Sequence, residues 1–415
     1  MRSVGPEHQI NMTDRFWLAP NKSVPWFWTF PTPAEYEQSH FPCERGKARR
    51  CTSCFMHWSA HHETLGFPRF NLHGRRPYSL ADLALLRPGK TTKIVFHGDS
   101  TLLEMYDLAV CSMGRTPGVT HVPSLNKRVK FGTSAFKVTY SKSISHIEQK
   151  VFAVDDATGD NSTRLNLFFA RGDHVMPRKD ILDLLCSEAD VLVVNWGAHY
   201  DMKASWERAS YISEVAGALD ALRECATTKK TTLVKMAHAA QNFHDTPYGW
   251  FTWGSTGCGP MTGAVEDADL WTRLIRDHVM PNVSAWLELV PTPWANEARA
   301  ACPMPAGRRA LHWVPYFDVS AAWWDFHRAR VSRVVDCTHR MMVPDWGPPL
   351  WDALFLALFR DLSASCEQPW PRAVRPEGPS LADPEHADKF ARMDFSANFV
   401  PATDIFSALQ RMAQR

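Results

Sequence analysis

Short apolar runs at 93–97, 165–170, 191–195, 232–236 and 286–290 alternate with segments of helical spacing at 102–112, 179–187, 205–225 and 268–280. The runs are nearly continuous in Val, Leu, Ile and Phe, without the apolar/polar alternation of a half-exposed strand. A strand apolar on both sides must be covered on both sides, and a parallel sheet between two layers of helices does this. The chain therefore reads as α/β, a three-layer α/β/α sandwich with a mainly parallel central sheet. Residues 350–362 (LWDALFLALFRDL) add a strong helical pattern, and the polar stretch 141–163 reads as an excursion from the core. Residues 1–60 are rich in Pro, Trp and Cys with little periodicity, and after Cys366 the chain turns polar. The boundaries expected are an irregular N-terminal arm or lobe over 1–90, a core over 91–365 and a polar tail over 366–415.

Open α/β sheets bind ligands at the carboxyl ends of their strands. Three polar loops follow expected strands: His97-Gly98-Asp99-Ser100, the run NWGAHY from Asn195 to Tyr200, and AHAAQN from Ala237 to Asn242. The first has two readings. Gly98 permits a tight turn that presents Ser100 as a nucleophile at a helix N-terminus, where outward N–H groups favour developing negative charge. An Asp or Ser that merely caps the helix gives the same letters.

A serine nucleophile needs a base, a group that orients the base, and donors for the oxyanion. Asp336 and His339, in DCTH, have the spacing to bring carboxylate and imidazole to one site from a single turn. A second DxxH, Asp383 to His386, lies in the polar tail without an apolar element to fix it. The first copy precedes a Pro/Trp-rich loop and a strong helix and is the better base. Oxyanion and substrate-binding groups are expected from Gly98, Asp99, Asn195, Gly197 and His199. An ordinary strand end at Asn195 and a turn at Gly197 remain the alternative.

With 46 basic and 44 acidic side chains the net charge is +2, so no nucleic-acid partner is expected. The pair Cys51-x-x-Cys54 has no second half to complete a zinc site, and no metal is expected. Ten cysteines permit full pairing. Asn11, Asn21, Asn161 and Asn282 each begin an N-x-S/T sequon. Together these favour the lumen of the secretory pathway over the cytosol. No window is apolar enough to span a bilayer, and the N-terminus lacks a signal-peptide core. Membrane association would need a segment absent from this chain.

Four blocks, in order, resemble the PC-esterase superfamily, a branch of the GDSL/SGNH group that includes the plant trichome-birefringence-like polysaccharide O-acetyltransferases and their fungal and animal relatives. They are FPRFNLHGRRPYSLADLALLRPGKTTKIVFHGDS, DVLVVNWGAHY, NFHDTPYGWFTWGSTGCGP and VVDCTHRMMVPDWGPPLWDALFLAL. The resemblance implies Ser100 as nucleophile, His339 as base and Asp336 as its partner. It also implies an SGNH-like sandwich with disulfides, a Golgi-lumen or secreted setting, and acetyl transfer through a serine acyl-enzyme to a polysaccharide or oligosaccharide hydroxyl. Departures from the pattern are Leu103 where family members often carry Arg, Met341 or Met342 in place of a Cys, Gly66 near another expected Cys, and Lys235 as the basic residue nearest an expected Arg.

The implied donor is acetyl-CoA or another acetyl ester, with no resident cofactor, and no Gly-rich phosphate loop points to coenzyme A. The 17 tryptophans suit sugar stacking, and Trp196, Tyr200, Trp250, Trp253 and Trp346 are candidate glycan contacts. An ester hydrolase of the same fold, and an inactive glycan-binding protein, are the competing expectations. Intact Ser100, Asp336 and His339 weigh against the last.

Overall fold

A computed structural model of the protein describes residues 26–29, 69–72, 76–130, 146–155, 163–175, 179–241, 243, 250, 258–259, 269–291, 308–320, 337–338 and 347–363. Strands β1 (Trp26–Thr29) and β2 (Arg69–Leu72) form a separate antiparallel pair. Helix α1 (Leu80–Ala84) precedes the main sheet, which begins with β3 (Thr91–Gly98) and passes into α2 (Ser100–Arg115). Then come β4 (Val119–His121), β5 (Lys127–Lys130), β6 (His146–Val154) and β7 (Arg164–Arg171). Helix α3 (Lys179–Glu188), β8 (Val191–Asn195), α4 (Ser205–Lys229) and β9 (Thr232–Met236) continue the alternation. Helix α5 (Leu270–Leu274) runs through a π-helical stretch into α6 (Met280–Val283). The described chain closes with β10 (Leu287–Pro291), β11 (Arg309–Val314), α7 (Tyr316–Ser320) and α8 (Pro348–Leu362).

The nine-stranded sheet has the order β10-β11-β9-β8-β3-β7-β6-β4, with β5 also paired to β6. From β10 to β7 every neighbouring pair is parallel. Beyond β7, the edge formed by β6, β4 and β5 is antiparallel. The protein is therefore α/β with a mostly parallel sheet.

Helices cover both faces because β3, β7 and β8 are apolar on both. Phe96 and Phe169 are register partners on one face. Tyr106 of α2 meets both rings, at centroid distances of 6.0 and 5.6 Å, and Trp351 of α8 meets Phe96 at 6.4 Å. On the other side α3 packs against β3 and α4, α4 packs against α6, and a Cys186–Cys225 disulfide joins α3 to α4.

Residues 146–154 depart from expectation. The stretch read as an excursion contains β6, a full member of the sheet. Its charges concealed it: Glu148 and Lys150 are buried, and they pair with each other at 3.3 Å. Strand β11 also escaped the sequence reading, because His312 interrupts a six-residue run; that ring is buried and its Nε2 lies 3.2 Å from Asp361 Oδ1. Before residue 91, α1 is wholly buried, with a Ser79/Asp82 capping box. Tyr78 stacks on Phe355 of α8 at 3.7 Å, and its N–H donates to Asp352 Oδ1 at 2.8 Å.

Among the described residues no helix is long and apolar enough to cross a membrane. No described cysteine is free: Cys111 is disulfide-bonded, and Cys186–Cys225 and Cys258–Cys337 pair. These bonds are compatible with a secreted or lumenal protein. Asn282 is exposed on α6, while Asn11, Asn21 and Asn161 lie outside the described residues.

The connections fix where a site can form. After β3 the chain goes to β7 on one side, then returns past β3 to β8 and on to β9 on the other. The order reverses between β3 and β8, which is the switch point where open sheets leave a crevice at their carboxyl edge.

Candidate active site

Strand β3 ends at Gly98, packed against the end of β8. A Cβ on Gly98 would sit 2.3 Å from the Asn195 carbonyl oxygen, so this close approach requires glycine. Of the two readings of HGDS, the cap is seen directly and falls to Asp99. Asp99 is the N-cap, its Oδ1 accepting from Thr101 N at 2.9 Å and from Thr101 Oγ1 at 2.6 Å. Ser100 is the first residue of α2 and is partly exposed, whereas Asp99 is buried.

Beneath Ser100 lies a buried polar network. Asp99 Oδ2 accepts from Ala198 N and from His238 Nε2, each at 3.3 Å. Burial alone would raise the Asp99 carboxyl. The His238 hydrogen bond and charge, the His199 charge and the Thr101 hydrogen bond overcome it and hold the group well below the usual carboxylate range. Asn195, expected to serve the oxyanion, is fully buried and turned inward: its Nδ2 donates to Thr101 Oγ1 at 3.0 Å. Lys235 Nζ approaches Asn195 Oδ1 at 3.5 Å and donates to Met236 O at 2.7 Å. Burial pushes the Lys235 amine down to about 8, against the pull of Asp269 and Asp99.

Trp271 closes the network from α5. Its Nε1 donates to Gly197 O at 3.0 Å, and its ring stacks on His238 at a centroid distance of 5.2 Å. Gly197 has φ +150°, and a Cβ there would lie 2.5 Å from Trp271 Cδ1. Position 197 therefore requires glycine for both its backbone and its space.

The rim is formed by residues past β7 and β8. His199 Nε2 lies 3.7 Å from Asp173 Oδ1, which also accepts from Arg171 Nε at 2.9 Å. Trp196 and Tyr200, expected to contact glycan, do not belong to this rim. Trp196 is 1% exposed and meets His97 edge-on. Tyr200 is 6% exposed, and its hydroxyl donates to Glu214 Oε2 and accepts from Val175 N. Both are large aromatic bodies that fill the core. Trp250 is partly buried against the core, and Trp253 and Trp346 lie outside the described residues. Trp206, at the head of α4, is 68% exposed and was not singled out by the sequence.

Asp336 and His339 lie outside the described residues. The two residues between them are tied to the same edge of the sheet. Cys337 is bonded to Cys258, and Thr338 Oγ1 accepts from Gln241 Nε2, in the loop after β9, at 3.3 Å. Leu103 packs against the core from α2, and Lys235, nearest the position of an expected arginine, joins the buried network. His238, Thr101 and Trp271 were given no role by the sequence. The one signal was a lone His just past an apolar strand, with no spacing to a partner. Among the described residues no cluster of three or more His, Cys, Asp or Glu could hold a metal ion.

No protein-family model and no curated protein matches the chain. A solved structure of a peptidoglycan O-acetylesterase superposes with a TM-score of 0.24 and 9% identity, over 50% of this chain and 88% of that one.

Proposed function

We propose that the protein is an O-acetyltransferase that moves an acetyl group through a Ser100 acyl-enzyme to a hydroxyl of a polysaccharide or oligosaccharide. The observation that carries this reading is the position of Ser100. It heads a 16-residue helix at the switch point, capped by a buried Asp99, with the loops after β8 and β9 bonded to that cap. The Cys337–Thr338 pair, fastened beside the β9 loop, supports Asp336 and His339 as the orienting carboxylate and the base.

In the proposed reaction Ser100 Oγ attacks the carbonyl carbon of acetyl-CoA or another acetyl ester while His339 takes its proton. Asp336 holds the imidazole in the tautomer that can do so. The oxyanion develops toward the N-terminus of α2, whose dipole and N–H groups favour negative charge. Collapse expels the donor's leaving group, which takes the proton from His339. A sugar hydroxyl then gives its proton to His339 and attacks the acyl carbon, and Ser100 departs with that proton. The disulfides among the described cysteines support an oxidising compartment, and we place the protein in the secretory lumen, in the Golgi or beyond.

The test supplies p-nitrophenyl acetate with and without a panel of neutral oligosaccharides and follows both products. Acetylated oligosaccharide is expected. Free acetate alone, with every oligosaccharide unmodified, would assign the same machinery to hydrolysis. Neither product would overturn acyl chemistry at this site.

A further inference from the structure

We infer that His238 is a positioning residue for Ser100, acting through the buried Asp99 carboxylate. The inference rests on the acyl-transfer reading above. Asp99 is the cap of α2, so whatever fixes its carboxylate fixes the turn that carries Ser100. Thr101 holds Oδ1, and that bond is local to the turn. Oδ2 is held from outside the turn, by Ala198 N and by His238 Nε2.

The second ring nitrogen of His238 also faces an oxygen, with Nδ1 3.1 Å from Ala239 O. The Nε2 contact with the Asp99 carboxylate is buried at both ends. Its other charged neighbours are Asp269 at the head of α5, Lys235 on β9 and His199 past β8. The flat face of Trp271 supports the ring, and Trp271 in turn binds Gly197 O. His238 thereby ties the ends of β3, β8 and β9 into one unit beneath the serine. A shift of about 1 Å in a nucleophile costs on the order of 100-fold in rate, so a bond that sets this turn bears directly on kcat.

The experiment compares wild type, His238→Ala and His238→Gln by stopped-time acylation with p-nitrophenyl acetate and by amide exchange over residues 99–103 and 197–199. The glutamine keeps a donor near Nε2 without the ring. The expected result for His238→Ala is a drop of about 10- to 100-fold in acylation kcat with KM within about two-fold, and about ten-fold faster exchange in both segments. His238→Gln should restore most of both. If His238→Ala fails to fold, His238→Met fills the space without a donor and takes its place. Unchanged exchange in the folded variant overturns the inference, as does an unchanged acylation rate. If wild type itself is not acylated, the acyl-transfer reading fails, and the exchange comparison alone decides whether His238 holds the turn.

Discussion

Asp99 is buried and Ser100 is partly exposed, although they are adjacent in the chain. The division follows from the helix head: the cap residue folds back over the first N–H groups, and the next side chain points away from them. Gly98 makes the turn possible, so Gly98→Ala should force β3 and β8 apart. We expect a loss of about 1–3 kcal/mol in denaturant unfolding, together with loss of acylation. Its neighbour His97 gives a pH prediction. The ring is buried, its Nδ1 lies 3.0 Å from Ala170 O, and burial pushes its pKa down to about 4, partly opposed by that hydrogen bond. The unfolded chain then binds more protons than the folded one between about pH 4 and 6.5. Stability is full above 6.5 and falls as pH drops toward 4, by about 3 kcal/mol from this residue alone. His97→Asn should flatten that part of the pH–stability curve, and an unchanged slope would contradict the assignment. The turn between β3 and α2 was legible in the sequence because strand, glycine and helix are consecutive. His238 was not, because its partner Asp99 is 139 residues away and no spacing rule connects them.

Strands β3, β8 and β9 were readable from uninterrupted apolar letters, and their helical partners from period. Strand β6 was not, since its Glu148 and Lys150 are buried as a pair and look solvated in sequence. In β3, Phe96 is packed against two helices. Phe96 touches both Tyr106 and Trp351, so Phe96→Ala should cost about 3–5 kcal/mol in chemical denaturation. The disulfides Cys186–Cys225 and Cys258–Cys337 should separate stability from activity. Cys186–Cys225 closes 39 residues between α3 and α4, on a helical layer. Its double alanine variant should lose up to about 4 kcal/mol and keep its rate of acylation once folded. Cys258–Cys337 fastens the segment that carries the proposed base, so its removal should lower acylation as well as stability. Equal acylation in both double variants would argue against His339 as the base.

At the scale of the molecule, the reversal of strand order between β3 and β8 gathers the loops after β3, β8 and β9 at one edge. The alternation of apolar runs and helical segments makes a parallel sheet legible in the letters of the chain. The strand order is not legible there, because register and crossing depend on contacts between segments far apart in the chain. Ser100 stands at that edge, and the central claim is that its hydroxyl becomes acylated. Intact-mass analysis after brief exposure to p-nitrophenyl acetate tests this most directly. The account predicts one added acetyl group, about 42 Da as expected for a serine acyl-enzyme, located by peptide mapping on Ser100 and absent from Ser100→Ala. An adduct that persists in Ser100→Ala, or none in wild type, would contradict it.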